Sequence, residues 1–210
     1  SGFILRKIKS DVENYLGKDM RESVISVPAY FNERQRRATQ EAGKLAGLKV
    51  RRIINEPTAA ALAYASTVAD RRNVLVYDLG GGTFDVTVLR SDGRNFHVLS
   101  TSGDNMLGGD DFDRILFDRI SADFSDRSGI DIAGDAMLRQ QLMEQVERAK
   151  IELSSRDTAL IALPFIGGDR KPVHLSHTLR RSELDEMIGP LIEKTIELSR
   201  KAVREAGSDI

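Results

Sequence analysis

The chain has 210 residues, 40% of them hydrophobic, enough for one large core or two small ones. Its 31 Lys plus Arg offset 32 Asp plus Glu to a formal charge of −1, without the basic excess expected of a nucleic-acid binder. Cysteine is absent, which excludes a disulfide framework, a thiolate nucleophile and a cysteine-ligated metal, and favours an intracellular, cytoplasmic setting.

Phe3, Ile4, Ile8, Val12, Tyr15 and Leu16 recur at three- and four-residue steps, which predicts a first helix capped by Ser1 and ended by Gly17. Val24–Val27 reads as a strand closed by Pro28. Asn32 is placed to cap a helix from Glu33 to Ala46, with Gly47 just past its end. A second strand, Val50–Ile54, leads to Pro57 in the first turn of an alanine-rich helix, Thr58–Val68. Strand, helix, strand in this order predicts a βαβ unit with a right-handed crossover.

Beyond Asp70-Arg71-Arg72-Asn73, the segments Val74–Tyr77, Phe84–Leu89 and Phe96–Thr101 predict an antiparallel meander with glycine-bearing turns. Ser102–Gly109 reads as a glycine-rich loop. Helices are expected over Asp111–Phe124 and Asp135–Leu153, then a hairpin of Ala159–Phe165 and Val173–Thr178 around Gly167-Gly168-Asp169. A last helix begins near Ser182, whose Ser-x-x-Asp spacing fits a capping box; Pro190 is expected to kink or split it, and Gly207 to end it. No apolar run approaches the roughly 20 residues of a membrane helix. Read from Ser1-Gly2, with neither a basic region nor a signal-like apolar run, no targeting segment is expected.

The richest stretch chemically is Asp78-Leu79-Gly80-Gly81-Gly82-Thr83-Phe84-Asp85. Consecutive glycines let the backbone turn tightly and aim successive amides at one point, a concavity that suits phosphate oxygens. Thr83 adds a hydroxyl, and Asp78 and Asp85 bracket the turn, where they can hold a hydrated magnesium ion or orient a water. Strand–glycines–strand differs from the strand–glycines–helix order of Walker and dinucleotide loops, and neither of those motifs occurs. A plain glycine-tolerant hairpin is the alternative. In Asn55-Glu56-Pro57-Thr58, Glu56 sits where a strand meets a helix. It serves either the helix N-terminus and its dipole or, held rigidly, a water or metal.

Three segments in order, Val27-Pro28-Ala29-Tyr30-Phe31-Asn32, Ile54 to Ala61 and Asp78 to Asp85, closely resemble the ATPase domain of the DnaK-type, seventy-kilodalton heat-shock chaperones. Gly103-Asp104, Leu107 to Asp113 and Glu147 to Ser154 extend the likeness over essentially the whole chain. The resemblance implies an α/β, actin-like (ribonuclease H-like) ATPase fold, with mixed sheets flanked by helices in two lobes and ATP between them. Residues 1–72 would be the C-terminal part of an incomplete lobe I. Residues 73–210 would be most of lobe II: a core meander 73–102, a peripheral subdomain at about 105–180 and a returning helix 182–206.

By motif, Gly80, Gly81, Gly82, Thr83 and Gly109 would contact ATP or ADP. Asp78 and Asp85 would serve Mg2+ and K+, mostly through water, and Glu56 would position the ion shell and attacking water. Glu147, Lys150, Ile151 and Ser154 would line the adenosine pocket from one helical face; relatives with arginine at Ile151 can stack on adenine. Pro28 and Arg36 match the family's relay between nucleotide state and peptide affinity. Tyr30, Asn32, Arg52, Asn55 and Thr58 match the surface for the interdomain linker and J-domain cochaperones. For Arg36 and Arg52 the alternative is simple solvation.

The resemblance further implies a nucleotide exchange factor and unfolded peptides as partners, the peptides through a domain not among these residues. Asn105 and Met106 replace a common Thr-His, which suggests a specialised bacterial paralogue. The family's first phosphate loop and catalytic lysine, and its second adenosine loop, also lie outside these residues, so the expectation is weak nucleotide binding without turnover. Two rivals share the fold. Filament-forming actin-like proteins resemble Asp-Ile-Gly-Gly-Gly-Thr-Thr-Glu at the hairpin, and sugar kinases need a substrate-activating carboxylate that is not identifiable here. His97, His174 and His177 are spaced for surface or core roles and not for a metal. Arg51-Arg52 and Arg180-Arg181 are too short to imply nucleic acid.

Overall fold

The computed structural model describes residues 1–65, 72–92, 95–166 and 173–207. The chain runs α1 (Gly2–Leu16), β1 (Glu22–Val27), α2 (Glu33–Leu45), β2 (Lys49–Asn55), α3 (Glu56–Ala65), β3 (Arg72–Leu79), β4 (Phe84–Ser91) and β5 (Phe96–Asp104). It continues through α4 (Gly109–Ser128), α5 (Ala136–Glu152), β6 (Thr158–Ile166), β7 (Val173–Arg180) and α6 (Arg181–Glu205). The turn expected at Gly167-Gly168-Asp169, the end of the helix expected to reach Val68, and Asp70-Arg71 lie outside the described residues.

The chain divides into two compact units. The first holds residues 1–78, 85–102 and 199–210. Here β1 and β2 pair in parallel, joined through α2, as the βαβ reading expects. Asn32 caps α2 reciprocally: its side chain accepts the Gln35 amide at 3.0 Å while Gln35 accepts the Asn32 amide at 2.9 Å. β3, β4 and β5 neighbour one another in chain order. Connections of only a few residues between hydrogen-bonded strands leave room for an antiparallel meander and not for a parallel crossover. Near the carboxyl end of α6, the Ala202 carbonyl accepts the Ser100 hydroxyl of β5 at 2.6 Å.

α1 forms where its periodicity places it and ends on left-handed Gly17, but none of its residues is buried. Its apolar stripe, Phe3, Ile4, Ile8, Tyr15 and Leu16, is exposed. Ser1 contributes its backbone carbonyl to Leu5 and no side-chain cap, a correction to the expected capping role.

The second unit holds residues 79–84 and 103–198. Its core joins Leu116, Phe117, Ile120 and Phe124 of α4 to Leu142, Val146 and Ala149 of α5 and to Ile161, Leu163, Leu175 and Leu179 of the antiparallel β6–β7 pair. Burying one such side chain contributes about 1.5–3 kcal/mol. Three local expectations change here. β5 extends to Asp104, which shortens the glycine-rich loop. The capping box at Ser182 does not form; the Glu183 carboxylate instead accepts the Arg180 amide at 2.9 Å. Pro190 does not split α6. Pro190 offers no amide to the Glu186 carbonyl, and both residues are exposed.

Candidate functional site

In the first unit the β2–α3 junction puts Glu56 at the first helical position, directly followed by buried Pro57. Asp78 lies near the end of β3, and Asp85 is the second residue of β4, only 8% exposed. The three carboxylates lie close enough to act on one another. Burial pushes the Glu56 carboxyl above its ordinary range, and the charges of Asp78 and Asp85 push it further. Asp85 is raised by burial and then by Asp78. The Tyr30 phenol is raised by burial and then by Asp85 and Glu56, which places it beside the same cluster. Among the described residues the Glu56 carboxylate has no hydrogen-bond partner, so capping at this junction is limited to the helix dipole.

The residues matched to partner surfaces lie in the same unit. Arg36 is not merely solvated, which corrects that alternative. Its Nε donates to the Phe31 carbonyl at 2.9 Å, and its Nη2 donates to the Ala29 carbonyl at 3.3 Å and to Asn55 Oδ1 at 2.7 Å. The guanidinium thereby ties the loop after half-buried Pro28 to the end of β2, one residue before Glu56. Tyr30 packs edge-on against Phe31 with ring centroids 5.8 Å apart. Asn32 is engaged in the cap of α2 and Thr58 is half-buried in the first turn of α3, while Arg52 is exposed.

The second unit carries the glycine turn. The Gly80 amide donates to the Thr83 carbonyl at 2.9 Å and closes the turn. Helix α4 begins against it: Gly109 and Asp110 donate their amides to the carbonyls of Gly80 (2.9 Å) and Gly81 (2.7 Å). These are two of the donors that a helix N-terminus leaves without intrahelical partners. The carbonyls of Gly80, Gly81 and Thr83 are thus engaged. Among the described residues the amides of Gly81 and Gly82 have no hydrogen-bond partner within the chain. A Cβ on Gly108 would stand 2.2 Å from the Gly81 carbonyl oxygen, so only glycine lets the helix approach this closely.

Lys150 of α5 donates to Asp113 Oδ2 at 2.7 Å and to the Gly109 carbonyl at 3.1 Å, which places it at the first turn of α4. Glu147 and Ile151 are exposed on α5. The helix ends at Glu152, so Ser154 lies past it, in a turn where its amide donates to the Ile151 carbonyl at 3.1 Å; this corrects the expectation of one helical face. Asp113 is 5% exposed, with Oδ1 buried and unpartnered. Burial pushes its carboxyl up, Lys150 draws it down, and Glu147 and Asp110 push it up again. His174 Nδ1 accepts the Phe165 amide at 3.2 Å.

Gly108 and Asp113 escaped attention as site residues in the sequence. The available signal for Asp113 was its position on a stripe that Phe117 and Ile120 continue, where a charge calls for a partner. For Gly108 it was a second glycine before two aspartates at a helix start.

The chemistry fits a phosphate ester with a hydrated cation. In the second unit two unpartnered glycine amides suit phosphate oxygens; in the first, the Glu56 and Asp85 carboxyls, raised by neighbouring acids with no cation among the causes, suit a divalent ion. No group of three acidic or histidine side chains among the described residues is arranged to hold a bare metal, so the ion would keep much of its water. A model of the Hsp70 protein family matches residues 1–210. That match takes in every motif named above and sets aside the filament-forming and sugar-kinase rivals. With six helices and several small sheets among the described residues, the fold is that of part of an actin-like ATPase domain. The chain belongs to the Hsp70 family, chaperones whose ATPase domain binds ATP and ADP with Mg2+ and which work with cochaperones and substrate peptides.

Proposed function

We propose that this chain is nucleotide-handling machinery of a DnaK-type chaperone, with the phosphates on the Gly80–Thr83 turn and a hydrated cation on Glu56, Asp78 and Asp85. The observation that carries this is the engagement of the Gly80 and Gly81 carbonyls by α4, while the Gly81 and Gly82 amides remain as donors. Such preorganised donors stabilise phosphate charge without reorganising during the reaction. When bound, Mg2+ supplies charge neutralisation at the phosphates. Asp78 and Asp85 would hold the hydrated ion, and Glu56, with its carboxyl raised, would position a water and accept its proton. K+ is assigned to the same carboxylates.

Gly109, Glu147, Lys150, Ile151 and Ser154 are assigned to the adenosine side. Pro28, Arg36 and Asn55 form the structural tie between the Glu56 junction and the surface at Tyr30, Asn32, Arg52 and Thr58 that we assign to a J-domain cochaperone and linker. In the complete protein the nucleotide state would set peptide affinity, and an exchange factor would renew the nucleotide, in a cytoplasmic setting. These 210 residues alone are expected to bind nucleotide without hydrolysing it.

Calorimetry with ADP tests the reading. Binding should require Mg2+ and should weaken at least tenfold, about 1.4 kcal/mol, in Asp85→Asn with helical content unchanged. Equal affinity with and without Mg2+ would remove the carboxylates from the site. Magnesium-dependent phosphate release by the isolated chain would overturn the expectation of inactivity.

A further inference from the structure

Two chains of hydrogen bonds run through peptide groups into the glycine turn, and they start from different donors. In one, the Lys150 ammonium donates to the Gly109 carbonyl at 3.1 Å. The amide of that same peptide group, on Asp110, donates to the Gly81 carbonyl at 2.7 Å. The amide of that next peptide group is Gly82 N–H, which has no partner within the chain among the described residues. In the other, the Asp111 amide donates to the Gly108 carbonyl at 3.1 Å, and the Gly109 amide donates to the Gly80 carbonyl at 2.9 Å. That series ends at Gly81 N–H and contains no charge.

Hydrogen bonds in series polarise one another, by roughly 10–30% per bond, and a charged donor at the head strengthens the whole series. Lys150 is held at the head of its series by Asp113, at 2.7 Å, with their side chains 22% and 7% exposed. Water screening is therefore weak where the relay begins.

We propose that Lys150, fixed by Asp113, is a positioning residue that acts on bound phosphate through two peptide groups and makes the Gly82 amide a stronger donor than the Gly81 amide. This deepens the phosphate-cradle reading of the turn and rests on it. It gives Lys150 a role separate from the adenosine contact that its family motif implies, and it gives Asp113 a reason to be buried with an acid's charge. The two glycines then differ in function although their sequence surroundings are nearly alike.

Amide NMR on the 210-residue chain tests this with no nucleotide present. Because Lys150→Met alone leaves Asp113 without its cation, Lys150→Met/Asp113→Asn is measured beside it. In both variants the Gly82 amide proton should move upfield by clearly more than that of Gly81. Equal movement of the two, or none at Gly82, overturns the relay, since general loosening of the turn or loss of a nearby charge acts on both. Pyrophosphate, which has no adenosine, is the binding probe, and its Kd should rise about two- to fourfold in the double variant. A displaced Gly82 resonance with unchanged pyrophosphate affinity, or no pyrophosphate binding by the parent chain, overturns the cradle reading and leaves the relay standing.

Discussion

Asp85 and Asp113 are both buried aspartates whose carboxyl groups are pushed above the ordinary range, and the causes beyond burial separate them. Around Asp85 the next contribution is another negative charge, Asp78, and nothing opposes it. Around Asp113 the next contribution is the Lys150 ammonium, which works in the opposite direction. In the second unit the chain supplies its own cation and the helix–turn contact is complete on folding. In the first unit no cation of the chain offsets the charge on Asp85, which is why a cation from solution is proposed there. The same residue type is therefore paired with a cation of the chain in one place and left without one in the other.

The contrast breaks most directly at Lys150. Lys150→Met strands Asp113 in its buried position, and removing one partner of a buried pair costs about 3–5 kcal/mol, with the lower end expected because Lys150 is 22% exposed. Urea unfolding measures the loss, and adding Asp113→Asn should recover most of it. A silent Lys150→Met would mean that Asp113 is as unbalanced as Asp85. A somewhat smaller effect is expected at Gly108. Alanine there must displace the Gly81 peptide, at roughly 1–3 kcal/mol, with loss of ADP binding. Gly82→Ala, with nothing within 4 Å of the added carbon, should change stability by only about 0.5 kcal/mol. Equal costs at the two glycines would mean that the turn is not built by the approach of α4.

Element order was legible because it rests on local chemistry. The Asn32 box, the left-handed Gly17 and the periodicities of α4 and α5 all operate within a few residues. The glycine turn and its bracketing aspartates were legible for the same reason. Exposure of the α1 stripe was not, since periodicity identifies an apolar face without saying what lies against it. Nor were the ties of Arg36 to Asn55 and of Lys150 to Asp113, which span 19 and 37 residues and depend on how strands and helices come together. The carboxylate cluster was visible as residue types. Its mutual repulsion and the inclusion of Tyr30 needed the fold.

The smallest effect expected is the pH dependence that the raised Asp85 carboxyl gives to stability. A carboxyl raised on folding binds its proton more tightly in the native state, so its contribution to stability is fully present below the unfolded pKa, about 4, and is lost as pH rises through the raised folded value. At neutral pH ionised Asp85 therefore opposes folding. Asp85→Asn should melt at a higher temperature than the parent near pH 7, and the two should converge as acidification protonates the parent's Asp85. Carboxylates lowered on folding, such as Asp104 beside Lys194, behave oppositely, but they are common to both proteins and cancel in the difference. Mg2+ should raise the melting temperature of the parent at neutral pH and leave Asp85→Asn nearly unmoved, because occupying the cation site relieves the repulsion that the substitution has already removed. A gap between the two curves that stays constant from acid to neutral pH would show that it does not come from ionisation of Asp85, and the first unit's carboxylates would then be no more open to a cation than Asp113.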